Sequence, residues 1–364
     1  MSFVRRLPFP RWTIAIPPLA LLVLALTWGH KPPGVVLALV GVFLAGAVLA
    51  AVHHAEVVAH RVGEPFGSLV LAVAVTVIEV ALIVTLMVSA HSDTATLARD
   101  TVFAAVMITC NGIVGLSLLV GTLRRRFAEF NAEGTATALA TVATLATLTL
   151  VVPTFTTSRP GPEFSGAQLA FAAVASIALY GLFVFVQTVR HRDYFLPVGT
   201  EADDAEAHAA PPSSSTALFA LGFLCISLVA VVGLAKIESP AIEDAVDAIG
   251  APPSAVGVVI ALLVLLPETL AAVRNALHDR MQTSFNLALG SAMASIGLTI
   301  PAIAVASIWL DGPLVLGLGS TQTVLLAITV VVTALTVLPG RATLQEGGVH
   351  LVLFASFLFL AVNP

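Results

Sequence analysis

Charge is scarce in this sequence. Asp, Glu, Lys and Arg make up 10% of its 364 residues, against about 25% in a soluble domain. That shortage excludes an ordinary water-soluble enzyme and a nucleic-acid binder, which needs a basic face. Cysteine is nearly absent. Cys110 and Cys225 both sit in apolar stretches; two thiols cannot make a metal quartet, and they imply no disulfide framework. The low-hydrophobicity tracts of a disordered chain are missing too. What is abundant is apolar surface, with 58% hydrophobic residues and a mean hydropathy of +1.01. At about 20 residues per crossing, the chain has room for many transmembrane helices and little else. The net charge of −5 says nothing about partners, because the charges sit in short loops. The first apolar stretch follows an Arg-bearing N-terminus and lacks a small-residue cleavage pattern, so it reads as a retained helix.

Apolar segments fall near 12–30, 34–52, 66–89, 100–121, 135–155, 167–190, 217–235, 252–274, 284–309, 320–338 and 348–362. The expected class is an all-α integral membrane protein of about 11 transmembrane helices. Barrel strands would alternate in polarity over about 10 residues, and no such alternation is present. With the N-terminus inside, one face carries Arg5, Arg6, Arg11, Arg61, Arg124, Arg125, Arg126, Arg190, Arg192, Arg274, Arg280 and Arg341. The other carries Lys31, Arg99, Arg159 and Lys236. That asymmetry fits the positive-inside rule and supports both the count and a cytoplasmic N-terminus in a cell inner membrane.

The longest polar stretch is RHRDYFLPVGTEADDAEAHAAPPSSS, residues 190–215, with the Pro, Ser and acidic content of a linker. It divides the chain into an N-terminal helix (1–33), a five-helix repeat (34–190), a cytoplasmic acidic linker (191–216) and a second five-helix repeat (217–364). Two units of five spans must lie oppositely in the membrane, because five is odd. Such inverted repeats are typical of secondary transporters.

The residues bear this out. GEPFGSLVLAVAVTVIEVALIV (63–84) and GAPPSAVGVVIALLVLLPETLAAV (250–273) each open with a Gly/Pro loop and carry one glutamate deep in the span, Glu79 and Glu268. The next spans align with Thr101 on Thr283, which sets Phe103 on Phe285, Thr109 on Ser291 and Gly115 on Gly297.

The run AEVVAHRVGEPFG…TVIEV, followed by PET…QTSFNLALGSAMASIGLTIPA, resembles the calcium/cation–proton antiporters of the cation/Ca2+ exchanger superfamily. GSAMASIGLTIP is its most specific part. The resemblance implies a ten-helix core of two inverted five-helix repeats, and one cation site between the repeats with a glutamate from each. An acidic segment between the repeats is also familial, and Glu201–His208 matches it loosely. The sequence departs from the pattern at Glu79, which follows Ile78; only the second repeat keeps a proline, Pro267, before its glutamate.

Glu79 lies roughly 20 Å along its helix at 1.5 Å per residue, close to the midplane. An ionised carboxylate there costs at least about 2.5–3.5 kcal/mol, so intramembrane acids are functional by default. Pro267 has no N–H and deprives the Leu263 carbonyl of its helical partner, leaving a hard oxygen near Glu268. Ser291, Ser295 and Thr299, spaced by four, share a helix face, and Gly290 and Gly297 would let a neighbour approach. Thr109, Asn111 and Gly112 stand in the matching span. Asn286 reads as a ligand or as an interhelical hydrogen bond. The candidate cation site is therefore Glu79, Glu268, Asn111, Ser291, Thr109 and Ser295. This oxygen-only set suits hard cations, of which Ca2+ takes six to eight oxygens. No thiolate or imidazole pair lies mid-span to favour a soft metal.

The expected function is secondary antiport of Ca2+ against H+, with Na+ or K+ as further candidate ions, lipid as surroundings, and no resident cofactor. The alternatives are Na+/Ca2+ exchange and an intramembrane metal-dependent hydrolase built on His53, Glu56 and His60. Those three residues lack the H-E-x-x-H spacing and otherwise read as a solvated helix end. Arg124–Arg126 reads as a topology anchor, and Asp100 and Asp279 as helix-end charges at opposite mouths.

Overall fold

Apolar runs in hydrocarbon must satisfy every backbone polar group internally, and helices do so within one segment. The computed structural model describes residues 10–30, 32–63, 66–89, 94–123, 125–196, 198, 212–310 and 312–364, and they fold almost entirely as helices. In chain order these are α1 (Arg11–Thr27), α2 (Gly34–Val62), α3 (Phe66–Ser89), α4 (Leu97–Thr122), α5 (Ala132–Phe155), α6 (Gly166–Arg190), α7 (Ser214–Ala248), α8 (Ser254–Val264), α9 (Leu266–Leu277), α10 (Met281–Ala306), α11 (Ser320–Val337) and α12 (Leu344–Val362).

Among the described residues, nine helices are long and apolar enough to cross a membrane, or ten when α8 and α9 count as one broken span. The eleventh expected span is α1, which at 17 residues, with Pro17 and Pro18 inside it, falls short of that length. Two helices outrun their apolar segments. Helix α2 continues past residue 52 to Val62 and ends at Gly63, whose φ of 75° a side chain would resist. Helix α7 carries Pro240 and runs on to Ala248, through residues that read as a loop. The acidic run Glu201–His208, with Lys31 and Arg124, lies outside the described residues.

The chain forms two compact units, Met1–His91 with Asp203–Ala245 and Ser92–Ala202 with Val246–Pro364. In the first, α2 packs against both α1 and α3. His54 of α2 is fully buried, its Nε2 is 3.0 Å from the Thr13 carbonyl of α1, and its ring lies against Phe223 of α7. The histidine-rich end of α2 is thus partly an interior packing surface. Leu24 of α1 fills the space left by Gly233.

The second unit is built round α4, of whose apolar window 89% is buried, against 22% for α6 and 17% for α12. The outer faces of α6 and α12 show Phe171, Val174, Leu182, Val352 and Phe359, a surface suited to lipid. Loop pairings sort the helix ends into two sides. On one, strand β1 (Ala128–Glu129) pairs antiparallel with β2 (Arg341–Ala342), Arg125 pairs with Asp279, and Asn286 Nδ2 donates to the Phe195 carbonyl at 2.7 Å. On the other, Val315 N–H donates to Ala95, Gly317 N–H to Pro162, and Arg99 to the Gly317 carbonyl. Helices α4, α5, α6, α10 and α11 each run from one side to the other.

Candidate functional site

Helix α4 is interrupted halfway by a π-turn, Ile108–Ile113, and α10 by another, Ser295–Thr299. Mid-helix π-turns recur at functional sites. Each adds a residue to the turn, so a spacing of four no longer keeps side chains in register. The expected stripe of Ser291, Ser295 and Thr299 is therefore wound more widely. Ser291 is half-buried, while Ser295 and Thr299 are buried. Helix α10 packs on the π-turn of α4, and α4 on that of α10.

A different irregularity is the break between α8 and α9, where the axis bends by 52° at Leu265 (φ −86°, ψ 0°). Pro267 opens α9, as expected for a residue without an N–H, so the Leu263 carbonyl has no helical donor. Glu268 lies in the first turn of α9, where the helix dipole favours a carboxylate. Helix α8 packs along the first half of α4; α9 packs along the π-turn and second half. The break bearing Glu268 is thus level with the π-turn bearing Thr109 and Asn111. Glu79, on α3 of the other unit, is buried at 3% exposure.

The smaller polar residues are placed less simply. Thr109 is fully buried, and its hydroxyl donates to the Ala105 carbonyl of its own helix at 2.8 Å. Asn111, also fully buried, uses both ends of its amide: Nδ2 donates to Thr329 Oγ1 of α11 at 2.9 Å, and Oδ1 is 3.2 Å from His350 Nδ1 of α12. His350 was not legible as a site residue, because a single histidine in an apolar run carries no motif. Asn286 proves to be an interhelical tie, bonded to Phe195 and accepting from Gln282 at 2.9 Å. The two expected glycine approaches divide. A Cβ on Gly297 would lie 2.9 Å from Tyr180 Cβ of α6, whereas Gly290 faces open space.

Of the two mouth aspartates, Asp279 is an exposed partner of Arg125. Asp100 is a buried junction, accepting from Thr96 at 2.7 Å, from Arg99 at 2.8 Å and from Gln322 of α11 at 3.2 Å.

The sodium/calcium exchanger protein family matches this chain over residues 33–189 and 219–363. A Sinorhizobium fredii protein, y4hA, whose name proposes an ionic transporter, is 45% identical over 367 residues, covering 99% of this chain and 98% of its own. The sodium-potassium/proton antiporter ChaA of Escherichia coli (strain K12) is 35% identical over 354 residues, 95% of this chain and 94% of ChaA. Among solved structures, native YfkE matches with a TM-score of 0.73 at 16% identity over 97% of this chain and 99% of that one, a likeness of fold. These findings overturn the hydrolase alternative. Among the described residues, no three His, Cys, Asp or Glu side chains, those of His53, Glu56 and His60 included, are grouped to hold a metal. The chain belongs to the sodium/calcium exchanger protein family, whose members are membrane transporters and not enzymes.

Proposed function

We propose that the chain is a proton-coupled cation antiporter of the cell inner membrane, with Glu79 and Glu268 acting together on the transported ions. The observation that carries this reading is the glutamate in the second span of each repeat, one of them at a proline-broken helix. Broken helices at the midplane are a recurrent way for transporters to bare hard oxygens to a cation. The two family matches, residues 33–189 and 219–363, support the division into repeats at 34–190 and 217–364. Proton coupling is supported by the names of two relatives, the sodium-potassium/proton antiporter ChaA and a Ca(2+)/H(+) antiporter of Aphanothece halophytica, 24% identical over 73% of this chain.

Charge arithmetic explains the exchange. Two ionised glutamates without a cation are costly in the membrane. One Ca2+, two protons, or one Na+ or K+ with one proton each bring the pair to neutrality. If only neutral forms change sides, every turnover trades one neutralising load for another, and the protein exchanges ions without leaking them. Thr109, Asn111, Ser291 and Ser295 complete the polar lining. Everted vesicles holding an acid interior test this: Ca2+, Na+ and K+, added singly, should each dissipate the pH gradient in proportion to its transport. Cation uptake that persists unchanged when the gradient is abolished would remove the proton from the mechanism.

A further inference from the structure

A regular helix would have the Val114 N–H bond to the Cys110 carbonyl four residues back. In the π-turn of α4 it bonds instead to the carbonyls of Thr109 and Asn111, and the Cys110 carbonyl is bypassed. The His350 ring of α12 lies against this turn, with Nδ1 3.2 Å from Asn111 Oδ1. Gly115 makes the approach possible, since a Cβ there would lie 3.0 Å from His350 Cβ and Leu351 Cγ.

The direction of the network follows from its last member. A thioether sulfur only accepts, so the Thr329 hydroxyl donates to Met107 Sδ, 3.5 Å away. Thr329 Oγ1 then accepts from Asn111 Nδ2, which turns Asn111 Oδ1 toward His350 and requires the proton on Nδ1. Nε2 is left to accept from the Thr336 hydroxyl at 3.1 Å. The chain runs one way, from Thr336 through His350, Asn111 and Thr329 to Met107, with each donor used once.

We propose that His350 is a positioning residue of the transport site: from α12 it packs against the π-turn of α4 and fixes the Asn111 amide at the level of Glu268. This rests on the antiport reading above. Partners behind metal-binding groups typically change cation affinity about 10–100-fold when lost.

The test measures transport rate against cation concentration in proteoliposomes of known protein content. His350→Asn keeps a side-chain N–H near the Nδ1 position; His350→Leu keeps none. His350→Leu should raise the apparent KM at least about tenfold with the maximal rate per inserted protein largely kept, and His350→Asn should recover most of that loss. In an Asn111→Leu background, His350→Leu should add little, because the two act as one unit. Ser356→Ala, a hydroxyl on α12 bonded to its own helix, should change nothing. An unchanged KM in His350→Leu, or additive effects of the two leucine variants, overturns the proposal. Should His350→Leu fail to insert, Thr336→Val reads the same chain, and a wild-type KM there overturns it equally. Failure of the antiport reading is separate: it would show as full exchange by Glu268→Gln, whatever His350 does.

Discussion

Gln322 donates a hydrogen bond to Asp100 at 3.2 Å, joining the starts of α11 and α4. On the opposite side of the same unit Asn131, the N-cap of α5, donates its backbone N–H to Gln282 at the start of α10 at 2.6 Å. With Thr101 aligned on Thr283, Asp100 and Gln282 are corresponding positions. Helix α4 is thus latched to α11, and α10 to the start of α5, on opposite sides of the unit. Gly115 and Gly297 repeat the pattern, one meeting α12 and the other α6. Crossed ties of this kind are what the proposed inverted repeats would produce on interlocking.

The latches differ in chemistry, and that difference is measurable. Asp100 is 2% exposed at its side chain and pairs with Arg99 at 14%, so Asp100→Ala strands a mostly buried guanidinium and the Gln322 amide. Breaking such a pair costs about 3–5 kcal/mol. Asp279 and its partner Arg125 are 41% and 61% exposed, and a surface pair contributes at most about 1 kcal/mol. Unfolding in detergent should show a large loss of stability for Asp100→Ala and little for Asp279→Ala. Equal losses would contradict the burial argument.

The arginine asymmetry places Arg125, Arg274, Arg280 and Arg341 on one side of the second unit and Arg99 and Arg159 on the other. The positive-inside rule predicts a cytoplasmic first side, with the C-terminus on the other. A C-terminal fusion to a reporter active only in the cytoplasm should be silent, and an N-terminal fusion active. Activity from both fusions, or from neither, would put the termini on one side and leave an even number of spans, as when α1 does not cross; the full reverse would invert the orientation.

Glu79→Gln and Glu268→Gln should each abolish cation/proton exchange while the protein still inserts, because an amide cannot neutralise a cation in a dry site. Ser227→Ala should exchange normally, since its hydroxyl only donates to the Phe223 carbonyl of its own helix. Normal Ca2+-driven proton movement in either glutamine variant would take that glutamate out of the mechanism.

The sequence announced most of this architecture through hydropathy, because hydrocarbon leaves a spanning segment no option but helix. It singled out Glu79 and Glu268 as candidates because a carboxylate in an apolar run is costly. The Pro267 break was legible for the same kind of reason, a missing N–H. The π-turns were not: Gly112 and Gly297 weaken a helix, but nothing in Ile108–Ile113 or Ser295–Thr299 specifies an added residue. The length of α7 was hidden by Lys236, Glu238 and Pro240, which read as a loop yet ride in the helix. His350 was hidden because its role depends on contacts across 239 residues of sequence to Asn111.

The coupling itself makes the last prediction. If the two glutamates are neutralised either by a cation or by protons, the two loads exclude each other. Raising the proton concentration on the cation-binding side then removes the ionised form that the cation needs. The apparent KM for the cation should rise with acidity and the maximal rate should hardly change, because saturating cation displaces the protons. For Ca2+ the trade is one divalent ion against two protons, and a turnover moves no net charge. A membrane potential imposed on proteoliposomes without a pH gradient should therefore drive little Ca2+ movement, whereas a pH gradient without a potential should drive it fully. For Na+ or K+ the second glutamate keeps its proton and the trade is one for one, again without net charge. Strong potential-driven flux would mean a further charge moves with the site. Acid inhibition that excess cation cannot overcome would mean the protons bind elsewhere. Either result would defeat competition at the two glutamates, and measuring both gradients on one preparation separates them.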